Sequence, residues 1–95
     1  DLSLDVIPDK TEIISAYPNP FNPSTNINFN INKNQHVELS IYDIQGNVVQ
    51  SLINQKLEAG AHLIKWSPNN ISSGVYILSL NTPSTKISSK LLYIK

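Results

Sequence analysis

Residues 25–32 read Thr25-Asn26-Ile27-Asn28-Phe29-Asn30-Ile31-Asn32, an alternation of polar and apolar side chains without a fault. On a helix, at about 100° per residue, Ile27, Phe29 and Ile31 would scatter around the circumference. On a strand, successive side chains point to opposite faces, so the three line one side and the asparagines the other. Such a strand needs a second layer against which to bury its apolar face. The same period returns in His36 to Asp43, with Val37, Leu39 and Ile41 inward and Tyr42 on the opposite face.

The rest of the chain divides into similar pieces. Thr11 to Tyr17 is a first strand, ended by Pro18, Pro20 and Pro23. Proline has no N–H to give a ladder and biases the residue before it towards extended conformations. The stretch is therefore a stiff, irregular crossing whose one large apolar residue, Phe21, is expected to be buried. Gln45-Gly46-Asn47 is a hairpin signal, because Gly and Asn tolerate positive φ. Val48 to Ile53 is the return strand, Lys56 to Gly60 a polar connection, and Ala61 to Trp66 a strand with His62, Ile64 and Trp66 on one face. Turn clusters at residues 67–70 and 72–74 precede strands at Val75 to Leu80 and Lys86 to Ile94. Gly74 is expected to carry positive φ or to sit under tight packing. Leu91-Leu92-Tyr93-Ile94 is a continuous apolar run, so both of its faces are expected to meet apolar surroundings.

Thirteen Ile, twelve Ser and twelve Asn against three Ala and three Gly favour strands and turns over helices. Seven strands with turn signals every eight to twelve residues give an all-β reading: a seven-stranded antiparallel immunoglobulin-like β-sandwich. There is no Cys, so the inference is architectural and does not use the Cys–Trp–Cys spacing of antibody domains. Residues 11–95 form one domain. In residues 1–10, Leu2, Leu4 and Val6 alternate with polar neighbours until Pro8, so this stretch is a linker or an extended leading segment. The opening Asp1-Leu2-Ser3, without Met or a leader, reads as part of something longer.

Function classes narrow quickly. Seven Lys balance seven acids and there is no Arg. Nucleic-acid binding wants clustered cations, with Arg for bidentate contacts, and is largely excluded. The longest apolar runs are four residues, too short for a transmembrane helix. His36 and His62 lie on different strands with no metal-ligand spacing, and no cofactor is implied. No Ser lies in a nucleophile elbow, and the three Gly, 14 residues apart each time, make no phosphate loop. Asp43, at a strand end before a turn, is better explained as a turn cap than as a catalytic acid. Tyr17, Tyr42, Tyr76, Tyr93 and Trp66 sit in or beside alternating stretches and read as core and corner residues. If coplanar and exposed they would instead suit sugar stacking.

Several stretches together resemble one family. They are Tyr17-Pro18-Asn19-Pro20-Phe21-Asn22-Pro23-Ser24-Thr25, Leu39-Ser40-Ile41-Tyr42-Asp43-Ile44-Gln45-Gly46, Ala59-Gly60 with His62 and Trp66, Ser73-Gly74-Val75-Tyr76, and Lys90-Leu91-Leu92-Tyr93-Ile94-Lys95. In this order and spacing they resemble the type A C-terminal sorting domain of type IX secretion, found on exported proteins of Bacteroidota. The resemblance covers about residues 13–95. It implies a non-catalytic signal that directs an N-terminal passenger across the outer membrane. The periplasm is crossed first, and the passenger ends at the cell surface or secreted. The implied partners are the outer-membrane secretion machinery and a sortase-like peptidase that removes the domain.

Gly74, Val75, Tyr76, Lys90 and Lys95 are the candidate recognition residues. Pro18, Asn19, Pro20, Phe21, Asn22, Pro23, Asp43 and Gly46 are the structural motif. Asn47 stands where members of this family commonly carry Arg. A signal needs a folded shape and an open sheet edge rather than a reactive pocket. The alternative is a carbohydrate-binding or other accessory β-sandwich module of a secreted enzyme.

Overall fold

The alternating segment becomes β2 (Thr25–Ile31), the centre of a three-stranded sheet in the computed structural model, which describes residues 9–95. β1 (Glu12–Tyr17) and β5 (Gly60–Trp66) flank it antiparallel, in the order β1-β2-β5. The second sheet is built from β3 (Gln35–Asp43), β4 (Val48–Leu57), β6 (Gly74–Asn81) and β7 (Lys86–Tyr93), in the order β4-β3-β6-β7. All pairs within the sheets are antiparallel. The all-β, seven-stranded sandwich read from the sequence is therefore observed. β4 pairs with β3 rather than with β5, unlike the fourth strand of constant-type immunoglobulin domains. Leu2, Leu4 and Val6 lie outside the described residues.

The alternation decides which faces meet. Ile27, Phe29 and Ile31 from one sheet pack with Val37, Leu39, Ile41, Leu78, Leu80 and Leu91 from the other, all essentially without solvent contact. Across β2 the asparagine face stays outward, and Asn28 Nδ2 donates to Ser15 Oγ at 3.2 Å. One buried polar knot closes the turn between β2 and β3. Thr11 Oγ1 donates to Asn32 Oδ1 at 2.8 Å, and buried Gln35 donates through Nε2 to the same oxygen at 3.1 Å. Pairing these groups with one another offsets the cost of removing them from water.

The return strand is longer than its sequence suggests. β4 runs to Leu57, past the expected end at Ile53 and into the expected polar connection at Lys56, and only Glu58 and Ala59 separate it from β5. An edge strand tolerates Asn54, Gln55 and Lys56 because one long side of it faces water. Two register shifts explain why its apolar residues do not alternate. Leu39 pairs with Ile53 but Ser40 with Ser51, and Ile41 pairs with Gln50 but Tyr42 with Val48. Each shift adds one residue to β4, and the extra residues, Leu52 and Val49, pack against the core together with Ile53. A shift at Ile14 rephases β1 in the same way, so Ile13 and Ala16 both reach the core and Tyr17 turns outward.

Gly74 opens β6 with φ +153°, and open space surrounds the position of a Cβ. Of the two expectations for Gly74, positive φ is observed and tight packing is not. The requirement lies in the backbone. Gly74→Val is expected to lower stability by about 1–3 kcal/mol through strain at that φ, measured by urea denaturation. An unchanged midpoint would show that the chain relieves the strain by moving.

Candidate recognition surface at one end of the sandwich

The proline-rich crossing between β1 and β2 does not loop out. Phe21 N–H donates to Leu92 O at 3.0 Å, and Ile94 N–H donates to Phe21 O at 3.1 Å, so the crossing lies along β7 as a short parallel bridge. Asn19 continues the seam with its side chain. Its Nδ2 donates to Lys90 O at 3.0 Å, and its Oδ1 accepts from Leu92 N–H at 2.9 Å. Buried Thr25 ties off the crossing by donating from Oγ1 to Pro18 O at 2.8 Å. The expected open edge is therefore closed along Lys90 to Ile94. A partner strand cannot add there without displacing residues 19–21.

Phe21 is buried, at 1% exposure. Its ring lies 5.4 Å from that of Trp66 and 5.1 Å from that of Tyr93, and Trp66 meets Tyr76 edge-on at 6.1 Å. Such tilted pairs contribute beyond their buried area. Two polar atoms of the cluster are satisfied by neighbours. Trp66 Nε1 donates to Gln50 Oε1 at 3.0 Å, and Tyr76 OH donates to Ser72 O at 2.6 Å. Four of the sequence stretches singled out above thus send one aromatic residue each into a single cluster. Tyr76 is buried in it, so it supports the surface rather than facing a partner.

Next to Tyr76, which pairs with Asp43 across β3 and β6, the β3–β4 turn is held by one side chain. Asp43 Oδ1 accepts from the backbone N–H of Gln45 and of Asn47, each at 2.9 Å. Gly46, at φ +90°, donates its N–H to Asp43 O at 3.1 Å. The bond from the Asn47 N–H is the main reason that the Asp43 carboxyl sits below its usual value of 3.8. Slight desolvation opposes the shift, while the Asn47 side chain and the Gln45 and Gly46 N–H groups reinforce it. Asp43 is thus a turn cap, as its position in the sequence suggests.

Five of the seven exposed large apolar residues among the described residues lie at this end, the other two being Ile14 on β1 and Leu63 on β5. Tyr17 and Ile44 are each 75% exposed, and Val48, Leu92 and Ile94 are open to water as well. They sit at the strand ends that surround the crossing and the β3–β4 turn. Lys90 and Lys95 stand among them, both exposed, and Ser73 Oγ accepts from Lys95 N–H at 2.8 Å beside Gly74. Val75 is half-buried opposite Leu92. The expectation of apolar surroundings on both faces of residues 91–94 holds for one face only. Leu91 and Tyr93 are buried, whereas Leu92 and Ile94 face water.

Other candidates do not assemble. His36 Nε2 donates to Asn54 Oδ1 at 2.7 Å. His62 Nε2 donates to Glu58 O at 2.8 Å, and its ring stacks on Phe29 at 5.3 Å. Among the described residues no three His, Asp or Glu side chains gather as metal ligands. Trp66, Tyr76 and Tyr93 are inside. Tyr17 and half-buried Tyr42 lie on the outer faces of opposite sheets, so no coplanar sugar platform forms.

The sequence matches the family model described as secretion system C-terminal sorting domain over residues 15–95, nearly all of the sandwich. The chain belongs to this family. Domains of the family are non-catalytic signals for type IX secretion, so the chain marks a passenger for export to the cell surface or the medium. No curated protein matches it. Among solved structures it is similar to dimeric latent PorU from Porphyromonas gingivalis. The TM-score is 0.65 and the identity 24%, over 94% of this chain and 10% of that one. The chain thus spans about a tenth of that protein's length, and the likeness is one of fold. In this sorting domain, four of the stretches that resemble the family each send one aromatic residue into the cluster around Phe21, whereas Ala59 and Gly60 lie at the far end of β5.

The depressed carboxyl of Asp43 has a pH signature. Its contribution to stability is present above about pH 3.8 and is lost as the pH falls through the lower folded value. Asp43→Asn keeps an acceptor but loses the charge. Its urea midpoint is expected to fall less than that of the wild type between about pH 5 and pH 2. Parallel curves would mean that the turn amides do not favour the charged carboxylate.

Proposed function

We propose that the machinery of type IX secretion reads the end of the sandwich around Phe21. Its contact surface is Lys90, Lys95, Gly74 and Val75 together with the exposed Leu92 and Ile94. The single observation that carries this reading is the gathering of exposed apolar side chains and two exposed lysines over a buried aromatic cluster. Large apolar groups left open on a small domain mark interaction sites, and lysines at the rim steer an approaching partner. The domain itself performs no catalysis. It passes the periplasm, and a sortase-like peptidase separates it from the passenger.

The aromatic cluster and the Asn19 seam do not make the contacts. They hold strand ends that would otherwise fray, so that Lys90, Leu92, Ile94 and Lys95 keep a fixed spacing. A presented surface with little freedom to lose binds at lower entropic cost.

Charge reversal separates recognition from folding. With residues 1–95 fused to a reporter in a Bacteroidota host, Lys90→Glu with Lys95→Glu is expected to reduce reporter outside the cell several-fold. The melting temperature of the purified domain should change by no more than about a degree or two, since exposed charges contribute little to stability. Undiminished export of this variant would remove the lysines from the recognition surface.

A further inference from the structure

The outer face of the four-stranded sheet holds a cavity at the opposite end of β3 and β6 from Asp43 and Tyr76. Glu38 on β3 lies directly opposite Asn81, the last residue of β6. Both stand on the outer face, because Val37 and Leu39 beside Glu38 take the inner one. His36 precedes Glu38 by two residues and shares its face. Beyond Asn81 the chain reverses around Pro83. Thr82 N–H donates to Thr85 O at 2.8 Å, and Thr85 N–H donates to Thr82 O at 3.4 Å. His36, Glu38, Asn81, Thr82 and Pro83 line a space of ≈ 250 Å³.

The side chains around this space are short of donors. Asn81 Oδ1 and Thr82 Oγ1 are both buried, and neither has a hydrogen-bond partner among the described residues. A buried acceptor without a donor costs stability, and native folds leave few of them. Glu38 is exposed, and the one ion pair among the described residues joins Lys10 to Glu12, so the Glu38 carboxylate is left to accept. His36 is already engaged through Nε2 with Asn54 Oδ1 at 2.7 Å. Lys56 lies opposite His36, and Lys86 lies opposite Asn81, but neither lines the space. With His36 neutral, the only formal charge on the lining is negative. Three acceptor groups, from two strands and a turn, thus face a space with room for more than a bare ion.

We propose that this cavity binds a guanidinium group, the end of an arginine side chain. A guanidinium carries its N–H donors in a planar fork, has no acceptor and keeps its positive charge. Two donors meet the Glu38 carboxylate as a charge-assisted pair, which fixes the orientation. The remaining donors turn to Asn81 Oδ1 and Thr82 Oγ1, and the rings of His36 and Pro83 flank the plane. A calcium ion fits less well, since it takes roughly six to eight oxygens and this lining offers one carboxylate, one amide and one hydroxyl. The 95 residues contain no Arg, so they do not supply the group themselves. Free arginine and an arginine within a peptide carry this same chemistry. The inference does not depend on how the domain is recognised for export, because the surface around Phe21 lies at the other end of β3 and β6.

The test is an NMR titration of the ¹⁵N-labelled domain with N-acetyl-argininamide and with N-acetyl-citrullinamide, which keeps the shape without the charge. The arginine form is expected to bind at roughly millimolar Kd. Saturable shifts should be confined to amides of residues 36–38 and 81–85. The citrulline form, and the arginine form on Glu38→Gln, should bind about tenfold more weakly. N-acetyl-lysinamide brings a point charge in place of the fork and should bind severalfold more weakly than the arginine form. Glu38 is exposed, so Glu38→Gln does not threaten the fold. Binding of the citrulline or lysine form as tight as that of the arginine form, an unchanged Kd on Glu38→Gln, or no saturation would overturn the proposal. Free L-arginine gives the source: binding as tight as that of N-acetyl-argininamide supports the free amino acid, and weaker binding supports an arginine within a peptide.

Discussion

Phe21 enters the sandwich from a segment with no other means of holding on. Its neighbours are prolines and asparagines, which offer the core nothing, and the three prolines cannot donate to a ladder. One ring between Trp66 and Tyr93 therefore fixes the whole crossing. Burying a Phe contributes about 1.5–3 kcal/mol, and each well-placed aromatic pair adds about 0.5–1.5 kcal/mol. Once the ring is seated, the backbone of residue 21 is in line with β7 and both of its polar groups are bonded. Asn19 then reaches Lys90 and Leu92. The β7 edge, the start of β6 and the ends of β1 and β5 all depend on that insertion.

This arrangement separates two kinds of residue that a sequence motif mixes. Pro18, Asn19, Phe21, Asp43, Gly46 and Tyr76 act on the chain itself, by plugging, clamping or turning it. Lys90, Leu92, Ile94 and Lys95 project from the frame so made. Asn47 belongs to the first kind. It gives its N–H to Asp43 Oδ1 at 2.9 Å and its Nδ2 to Oδ2 at 3.4 Å. The turn is thus complete without the Arg that the family resemblance suggests at this position, and only what projects from it differs.

Much of the fold was legible where one physical rule acts alone. β2 and β3 alternate because each has one dry face, and the period shows it. The burial of Phe21 followed from its being the one large apolar residue among prolines. β4 was read too short because two bulges rephase it and because an edge strand accepts polar residues that look like a connection. Tyr17 was grouped with core aromatic residues, but the bulge at Ile14 reverses its face. The Asn19 seam was not legible at all. Its partners lie 71 and 73 residues away, and nothing local distinguishes an Asn that clamps a distant strand from one that caps a turn. The cavity beside Glu38 was equally hidden, since it forms only where β3 meets the end of β6.

The central claim is that the crossing is part of the sandwich and not a loop lying on it. Native-state hydrogen exchange tests this on the unmodified domain. The amides of Phe21, Leu92 and Ile94 donate to the seam. They are predicted to exchange with protection close to that of amides in the middle of β3 and β6, because they open only when the core does. Exchange at these three positions near the rate of an unstructured chain would show the crossing to be detached, and would contradict the account.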